Sequence, residues 1–361
     1  MEQINILIKP VSGKCNLNCR YCFYKDEMKK REQPVYGIMS EELLETVIRR
    51  AFEKDRRFCT LGFQGGEPLL AGLGFYEKTV ELVKKYGKNA KTEFTIQTNG
   101  ILIDDEWAKF FAENHFLVGI SIDGIPKIHD RWRGKGTFEK VVRAAGLLQK
   151  HHVDFNVLTV VTEDLVPYTK RIYNNYKEHQ WHYMQFIPCL DPLGEEWGGQ
   201  TFSLEAESYG LFLKELFDCW YEDLVRGNFV YIRYFENLIG ILLNHMPESC
   251  NMRGVCGMQN IVEADGSVYP CDFYVLDNCK LGNIREDSFE KLGERFSRSR
   301  LFVDSLKKSH ICKECKWSRL CRGGCQRNRE PHGDPDVFCE AYQMFFSYAW
   351  DRMVEIARRC C

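Results

Sequence analysis

Three cysteines with the spacing C-x3-C-x2-C lie near the start of the chain, in the stretch Cys15-Asn16-Leu17-Asn18-Cys19-Arg20-Tyr21-Cys22. Their thiolates are close enough in sequence to converge on one metal centre. A structural zinc site takes four protein ligands, and so does an ordinary four-iron cluster. The next cysteine is Cys59, so we expect only three thiolate ligands here. A four-iron cluster held in this way leaves one iron able to bind a substrate or cofactor directly.

Strand and helix patterns alternate around this motif. A mostly apolar strand over residues 4–9 precedes it, so the cysteines follow the carboxyl end of the first strand. Amphipathic helix patterns separate the further predicted strands, which are 58–64, 94–98, 116–122, 155–161 and 183–187. About six βα units predict an α/β fold whose parallel sheet curls into a partial (β/α)6 TIM-like barrel. In such folds, functional residues gather at the carboxyl ends of the strands.

The pattern changes near residue 195, where a glycine-rich connector begins. We predict an aromatic-rich helix from Ala206 to about Arg226, a second helix over Tyr231–Leu243, and a hairpin around the turn Asp265-Gly266. From Cys250 onward the chain is dense in cysteine. These changes predict three regions: a barrel over 1–195, a helical connecting region over 196–249, and a cysteine-rich domain with a C-terminal helix over 250–361.

The bulk composition gives no support for a nucleic-acid or membrane partner. The 361 residues carry a formal net charge of -2, so no basic surface is expected. The first ten residues lack the features of a signal peptide, and no apolar run has the length of a membrane-spanning helix. We therefore expect a cytoplasmic protein. In a reducing compartment, its 17 cysteines are better suited to metal binding than to disulfides.

A glycine pair follows the second predicted strand, in Gly65-Gly66-Glu67-Pro68. Glycine lets a backbone approach a ligand closely, although a Gly-Gly pair alone is more often simply a tight turn. Beside the cysteine motif, the pair becomes a candidate cradle for the amino group of S-adenosylmethionine. The combination of the two motifs, each after one of the first two strands, resembles the radical S-adenosylmethionine superfamily.

Eight cysteines in the C-terminal region resemble the SPASM extension of radical enzymes that modify peptides. That resemblance implies two auxiliary four-iron clusters with all-cysteine ligation. Two structural zinc sites are the alternative, because C-x2-C spacing also fits zinc. The resemblance assigns one cluster to Cys250, Cys256, Cys271 and Cys325, and the other to Cys312, Cys315, Cys321 and Cys339. Free thiols are expected for Cys59, Cys189, Cys219, Cys279, Cys360 and Cys361.

Further motifs resemble the anaerobic sulfatase-maturating enzymes over essentially the whole chain. They include Cys19-Arg20-Tyr21-Cys22-Phe23-Tyr24, Gln97-Thr98-Asn99-Gly100 and Tyr269-Pro270-Cys271-Asp272-Phe273-Tyr274. The resemblance implies oxidation of one cysteine or serine of a nascent sulfatase to Cα-formylglycine. It also implies S-adenosylmethionine and three [4Fe-4S] clusters as cofactors, the radical-generating one on Cys15, Cys19 and Cys22 and two auxiliary ones.

The same resemblance gives roles to individual residues. Asp272, directly after Cys271, would be the catalytic base, with Asp277 as a competing candidate. Contacts to S-adenosylmethionine would come from Tyr21, Gly65, Gly66, Glu67, Ser121, Arg133 and Leu190. The peptide channel would be lined by Tyr24, Gln64, Arg233 and Tyr234, side chains that equally suit packing.

The implied partners are an unfolded or nascent sulfatase polypeptide and an external electron donor such as flavodoxin or ferredoxin, with the chain itself a monomer. Two alternatives stay open. Another SPASM-type radical peptide maturase, for example one that forms thioether cross-links, would share the auxiliary clusters. A non-catalytic iron–sulfur electron carrier is the alternative from a different class, although a carrier gains nothing from an open iron. Asp272 and the absence of a leader-peptide-binding domain at the N-terminus favour the sulfatase reading, with cysteine-type and serine-type targets both open.

Overall fold

The computed structural model describes residues 3–54, 56–330 and 335–360. The chain forms two compact units. Unit 1 comprises Met1–Ser121, Arg133–Phe155 and Gly257–Ser299, and unit 2 comprises Ile122–Trp132, Asn156–Cys256 and Arg300–Cys361. Within the described residues, no helix combines the length and the apolar character needed to cross a membrane.

Strands and helices alternate through the first half of the chain, and all six predicted strands are present. The elements are β1 (Gln3–Ile8), α1 (Phe23–Lys29), α2 (Glu41–Ala51), β2 (Phe58–Phe63), α3 (Leu73–Tyr86), β3 (Lys91–Thr98), α4 (Asp105–Glu113), β4 (Phe116–Ser121), α5 (Pro126–Arg133), α6 (Thr137–Lys150), β5 (Phe155–Val161), α7 (Thr169–Glu178) and β6 (Tyr183–Pro188). The predicted α/β class is confirmed.

The second half is richer in short elements. They are α8 (Ala206–Val225), β7 (Tyr231–Ile232), α9 (Arg233–Leu242), β8 (Ile261–Val262), β9 (Ser267–Tyr269), β10 (Gly282–Asn283), α10 (Phe289–Ser297), α11 (Arg300–Ser305), α12 (His310–Glu314), α13 (Ser318–Cys321), α14 (Gln326–Arg329) and α15 (Cys339–Arg359). The helix predicted over Tyr231–Leu243 is shorter than expected, because its first two residues form β7 and pair with β6.

The sheet of unit 1 is built on β1. Parallel pairing joins β1 to β2, β2 to β3, and β3 to β4. Alternate residues of β1, among them Ile6 and Ile8, are buried while Gln3 and Asn5 are exposed, so one face of the strand is covered. Because parallel strands share one direction, the loops that follow β1, β2 and β3 leave the same edge of the sheet. The cysteine motif and the Gly65-Gly66 turn lie on two of these loops.

A C-terminal segment completes unit 1. β8 pairs with β1 in parallel, and β9 pairs with β8 in antiparallel fashion, which confirms the predicted hairpin at Asp265-Gly266. Gly266 has a φ of +89°, the left-handed conformation that such a turn requires. β10 pairs with β9 on the far side. This pairing brings Asp272 into the unit that contains the N-terminal cysteines.

Unit 2 combines short parallel pairing with an aromatic helical core. β5, β6 and β7 pair in parallel. α8 packs on α15 through Phe217 and Phe345, whose ring centroids lie 5.6 Å apart. α8 also contacts α9 through Trp220 and Phe235, at 5.3 Å. Cys339, one of the predicted cluster ligands, is the first residue of α15.

Candidate active site

The N-terminal cysteine motif lies on the loop between β1 and α1, and Cys22 immediately precedes α1. The Cys15 sulfur accepts a hydrogen bond from the backbone N–H of Leu17 at 3.4 Å and lies 3.8 Å from Nδ2 of Asn99, on the loop after β3. Burial raises the pKa of the Cys15 thiol, the two N–H donors act in the opposite direction, and Cys22 is near enough to interact with it. The loop thus presents three thiols at the carboxyl edge of the sheet, a donor set that fits iron.

The Gly65-Gly66 turn lies directly against the backbone beside Cys15. Both glycines have positive φ, +96° at Gly65 and +58° at Gly66. A Cβ added to Gly66 would lie 2.1 Å from the carbonyl oxygen of Lys14, so no other residue fits there. The backbone N–H of Glu67 donates to that same oxygen at 2.8 Å. The turn is therefore a closely packed cradle next to the thiols, as a site for S-adenosylmethionine requires.

The Glu67 carboxylate links the loops after β2 and β3 through hydrogen bonds. It is fully buried and accepts hydrogen bonds from Thr98 Oγ1 at 2.7 Å, from the Asn99 N–H at 2.8 Å and from the Leu69 N–H at 3.0 Å. Burial raises the pKa of Glu67 to about 7, against the effect of these three donors. Asn99, to which the sequence reasoning assigned no role, thus contacts both Glu67 and the cysteine loop. Its presence in Gln97-Thr98-Asn99-Gly100 was the available signal.

The other predicted cofactor contacts are distributed over both units. In unit 1 the Arg133 guanidinium lies 5.6 Å from the ring centroid of Tyr21, and Ser121 is the last residue of β4. Arg133 is buried. Leu190 is a half-buried residue of unit 2, two residues after the end of β6. The structure therefore brings Tyr21 and Arg133 together and places Ser121 at a strand end.

Asp272 lies at the centre of a polar cluster in unit 1. Its Oδ2 accepts hydrogen bonds from Tyr24 Oη at 2.5 Å and from Gln64 Nε2 at 2.7 Å. Tyr24 and Gln64 also contact each other, at 2.6 Å. Among the described residues nothing donates to the other oxygen, Oδ1, although that atom is buried. Two of the predicted channel residues therefore hold one oxygen of the predicted base and leave the second able to accept a proton.

Buried charges surround this carboxylate. Lys9 is 1% exposed, and its Nζ lies 3.7 Å from Glu27 Oε2 and 3.7 Å from Glu263 Oε2. Arg31 Nη1 pairs with Glu263 Oε2 at 2.9 Å. Lys9 also lies over the Tyr24 ring, 4.8 Å from its centroid. Three carboxylates thus face two cations in a region from which water is largely excluded.

The charge balance assigns a proton to one of these acids. Burial raises the pKa of Glu27 to about 8, although Lys9 opposes the shift, and this is the direction expected for the surplus carboxylate. Burial also raises the pKa of Asp272, and Lys9 is the largest influence that lowers it. With Glu27 protonated, two carboxylates balance Lys9 and Arg31. The donors at Oδ2 and the charge of Lys9 act to keep Asp272 ionised, against the effect of its burial.

Asp277, the competing candidate, has a different environment. It is exposed, and its Oδ2 accepts a hydrogen bond from the Glu32 N–H at 2.8 Å. It therefore anchors a surface loop. Arg233 and Tyr234, the remaining predicted channel residues, lie in unit 2. Arg233 donates to Gln185 Oε1 at 3.0 Å and to Glu248 Oε2 at 3.2 Å, while the Tyr234 ring packs near Tyr342, at 6.5 Å.

Unit 2 contains a cavity bordered by the sulfur-bearing side chains of one predicted auxiliary set. Its lining includes Cys312, Cys315, Cys321 and Cys339. Nowhere in the described part of the chain do three His, Cys, Asp or Glu side chains form a group that could hold a metal ion. Four thiols around a cavity fit a cluster whose four irons each take one thiolate, whereas a zinc ion needs its ligands at one point.

The second auxiliary set is represented in unit 2 by three cysteines. Cys250 and Cys256 both lie near enough to Cys325 to influence its ionisation, and burial raises the pKa of Cys325 to about 12. Cys271, the fourth predicted member, belongs to unit 1, where it precedes a short 3-10 turn over Asp272–Tyr274. Of the cysteines expected to be free, Cys59 and Cys189 are buried, and Cys361 lies outside the described residues.

Comparison with known proteins identifies the family. Residues 10–166 match the Radical SAM superfamily, and residues 254–316 match an iron–sulfur cluster-binding domain, SPASM. The chain is 46% identical, over 99% of both chains, to the cysteine-type anaerobic sulfatase-maturating enzyme of Clostridium perfringens (strain 13 / Type A). This chain belongs to the anaerobic sulfatase-maturating enzymes. The resemblance stated from sequence is confirmed.

Two further comparisons extend this assignment. A solved structure described as native anSMEcpe with bound AdoMet and Cp18Cys peptide matches with a TM-score of 0.95 and 46% identity, covering 99% of this chain and 100% of that one. The serine-type anaerobic sulfatase-maturating enzyme of Bacteroides thetaiotaomicron is 34% identical, over 96% of this chain and 89% of that enzyme. The predicted combination of a radical S-adenosylmethionine fold with a SPASM domain is thereby confirmed for this family member.

We expect Gly66→Ala to abolish binding of S-adenosylmethionine, because the new Cβ would collide with the Lys14 carbonyl oxygen and displace the turn from the thiols. Equilibrium dialysis of the reconstituted enzyme should show affinity at least about 1,000-fold weaker, about 4 kcal/mol, which exceeds the roughly 1–3 kcal/mol cost of left-handed backbone strain alone. Gly72→Ala is the control: Gly72 also has a positive φ, +81°, but in the described ranges no atom lies within 4 Å of its added Cβ. Equal losses of affinity in both variants would show that the close contact at Gly66 is not needed to bind S-adenosylmethionine.

We expect Glu27→Gln to flatten the dependence of stability on pH. The pKa of Glu27 is about 8 in the fold and 4.5 ordinarily, so between these values the folded chain binds more protons than the unfolded chain. The free energy of unfolding therefore falls as pH rises through that window. The thermal midpoint of the metal-free chain should drop less between about pH 5 and about pH 8 in the variant than in the wild type.

The matched control for this measurement is Glu32→Gln, which removes an exposed carboxylate from the neighbouring segment. Its midpoint should follow the wild-type curve. Parallel curves for the wild type and Glu27→Gln would show that Glu27 carries no excess proton in the fold.

Proposed function

We propose that this chain oxidises a cysteine of an unfolded or nascent sulfatase polypeptide to Cα-formylglycine, using S-adenosylmethionine and three [4Fe-4S] clusters. The observation that carries the proposal is the Asp272 carboxylate, held at Oδ2 by Tyr24 and Gln64 with Oδ1 buried and able to accept a proton. The 46% identity to a cysteine-type enzyme supports cysteine as the preferred target.

The role of Asp272 is to take the thiol proton of the target cysteine. When bound, S-adenosylmethionine and the cluster on Cys15, Cys19 and Cys22 would provide the radical chemistry that removes a hydrogen atom from the target Cβ. The auxiliary clusters would provide an acceptor for the second electron. A carboxylate within hydrogen-bond reach of the thiol suits the remaining proton transfer. Loss of the hydrogen atom, the proton and the second electron leaves a thioaldehyde, which water hydrolyses to the aldehyde with release of hydrogen sulfide.

Tyr24 and Gln64 position the base. Each donates to Oδ2, which fixes the plane of the carboxylate and leaves Oδ1 as the basic atom. Both donors favour the ionised form, as does the positive charge of Lys9. The buried surroundings keep water away from the reacting thiol, so that the proton passes to Asp272 instead of to solvent.

The remaining assignments extend this proposal to the cofactors and to the regions of the chain. Residues 1–195 form the radical-generating barrel. Residues 196–249 form a helical region that connects it to residues 250–361, which carry the auxiliary clusters. The cluster ligands are Cys15, Cys19, Cys22, Cys250, Cys256, Cys271, Cys312, Cys315, Cys321, Cys325 and Cys339. The residues at S-adenosylmethionine are Tyr21, Gly65, Gly66, Glu67, Ser121, Arg133 and Leu190, and those along the peptide are Tyr24, Gln64, Arg233 and Tyr234.

The proposed setting is the cytoplasm, where an external donor such as flavodoxin or ferredoxin reduces the N-terminal cluster of a monomer. The function is tested by anaerobic incubation of the reconstituted enzyme with a sulfatase-derived peptide that carries the target cysteine and with its serine counterpart. Mass spectrometry should detect formylglycine from the cysteine peptide, with less or none from the serine peptide. A reconstituted enzyme that cleaves S-adenosylmethionine but converts neither peptide would contradict the proposal.

We expect Asp272→Asn to lower formylglycine formation at least about 100-fold, the lower range of a general-base contribution, because an amide cannot accept the thiol proton. Asparagine keeps the size of the side chain and one acceptor for Tyr24. Cleavage of S-adenosylmethionine, measured as release of 5′-deoxyadenosine, should continue in the variant. Asp277→Asn, which removes the exposed competing carboxylate, should retain activity. If Asp277→Asn were the variant that lost activity, the assignment of the base would be reversed.

A further inference from the structure

Asp336 is a buried carboxylate of unit 2 to which the sequence analysis assigned no role. It is 3% exposed. Its Oδ1 accepts a hydrogen bond from the Phe338 N–H at 2.9 Å. Its Oδ2 accepts from the Cys325 N–H at 3.2 Å and from Asn328 Nδ2 at 3.3 Å. Burial raises the pKa of Asp336 to about 6, and the three N–H donors that converge on its oxygens oppose that rise, so the side chain is ionised above that pH.

These bonds connect the segments that carry one cysteine from each auxiliary set. Cys325, assigned to the set with Cys250 and Cys256, donates its backbone N–H to Asp336 Oδ2. Cys339, assigned to the other set, donates its own N–H to the Asp336 carbonyl oxygen at 2.8 Å. A further backbone bond, from Val337 to the Asn328 carbonyl oxygen at 3.1 Å, runs alongside. Asp336 is therefore the residue on which both cysteine-bearing segments converge.

The approach is too close for any larger residue on the opposing loop. A Cβ added to Gly324, which precedes Cys325, would lie 2.0 Å from Asp336 Oδ2. Gly324 also has a positive φ, +68°. The loop is thus shaped to bring the Cys325 backbone onto the carboxylate.

The Asp336 side chain lies close to one predicted ligand of each auxiliary set. Its Oδ2 lies 3.2 Å from the Cys325 backbone nitrogen, and its own backbone carbonyl oxygen lies 2.8 Å from the Cys339 backbone nitrogen. A negative charge at this position opposes the addition of an electron to an iron cluster bound by these cysteines. A protein tunes the reduction potential of an iron–sulfur cluster through such outer groups.

We propose that Asp336 is a positioning residue shared by the two auxiliary cysteine sets, which fixes both segments and lowers the reduction potentials of both auxiliary clusters with one buried negative charge. The inference rests on the proposed function only in that it requires the auxiliary clusters. Its consequence is that the two clusters are tuned together, so a change at this single side chain alters both potentials in the same direction.

The test measures the auxiliary clusters alone. In the full chain, replacement of Cys15, Cys19 and Cys22 by alanine removes the N-terminal cluster, so that the remaining iron, about eight atoms per chain, belongs to the auxiliary sets. Asp336→Asn is then introduced into this background, together with two comparison variants. Each protein is reconstituted anaerobically with iron and sulfide, its iron content is determined, and its redox titration is followed by electron paramagnetic resonance.

For Asp336→Asn we expect the ratio of reduced to oxidised cluster at a fixed potential to rise about tenfold for both auxiliary clusters, which corresponds to a shift of about 59 mV for a one-electron couple. Asp223→Asn is the matched control: Asp223 is also 3% exposed in unit 2, but it accepts hydrogen bonds from Tyr173, Lys177 and Asn228. Its potentials should equal those of the parent protein.

Asn328→Ala distinguishes the effect of the Asp336 charge from the effect of its hydrogen bonds to the two cysteine-bearing segments. It removes one donor from Asp336 Oδ2. In titrations at about pH 8.5, well above the pKa of about 6 of Asp336, the negative charge is then less compensated, so the potentials should shift downward, opposite to those of Asp336→Asn. General loosening of the segments would shift both variants in one direction. Asn328→Ala also provides the measurement if Asp336→Asn loses its iron, a loss that would itself support the positioning role provided that Asp223→Asn retains its iron.

Other outcomes overturn the inference, and they separate it from the proposed function. Full iron content with unchanged potentials in both Asp336→Asn and Asn328→Ala would remove the role of Asp336 and leave the proposed function intact. A parent protein that binds no iron after removal of the N-terminal cysteines would show that the auxiliary clusters do not exist, which would overturn both.

Discussion

The proposed chemistry depends on the Asp272 carboxylate staying ionised although it is shielded from water. Burial disfavours the charged form of Asp272, and an isolated buried carboxylate would take up a proton and lose its basicity. Two donors at Oδ2 and the positive charge of Lys9 replace the missing water. Glu27, whose raised pKa leaves it protonated near neutral pH, removes the surplus negative charge from the cluster. In the proposed reaction, this balance leaves Oδ1 able to accept a proton.

Strand pairing brings together the residues that form this charged cluster. β1 carries Lys9 just past its end and pairs on one side with β2, whose following residue is Gln64, and on the other with β8. The hairpin of β8 and β9 brings Glu263 and Asp272 to this strand. Tyr24 and Asp272 are 248 residues apart in sequence yet share a hydrogen bond. One central strand thus positions the thiol loop, the glycine turn and the base.

Much of the fold, and the cysteines of the candidate site, could be predicted from the sequence. The strands are visible because their buried positions are apolar, at alternate residues in β1 and in longer runs in β2 and β5. The cysteine spacings are local patterns with specific chemistry. Asp272 required the resemblance, since an aspartate after a cysteine has no distinguishing local signal. The helix predicted from Tyr231 began two residues too early, because pairing with β6 is a tertiary effect that overrides the helical pattern.

Long-range polar contacts could not be predicted. Arg31 and Glu263 pair across 232 residues, and nothing near either one indicates the other. Lys9 lies at the end of an apolar strand, where a lysine is ordinarily exposed, and its 1% exposure becomes intelligible only with Glu27 and Glu263 beside it.

The most direct test of the central claim is the acid limb of the pH profile of kcat/KM for the cysteine peptide, compared between the wild type and Lys9→Met. Methionine fills the buried space without the charge, so the pKa of Asp272 should rise and the limb should move to higher pH, while Lys14→Met, at an exposed lysine of the adjoining loop, should leave it in place. Superimposable profiles for all three proteins would contradict the account, since they would show that Lys9 does not keep the catalytic carboxylate ionised.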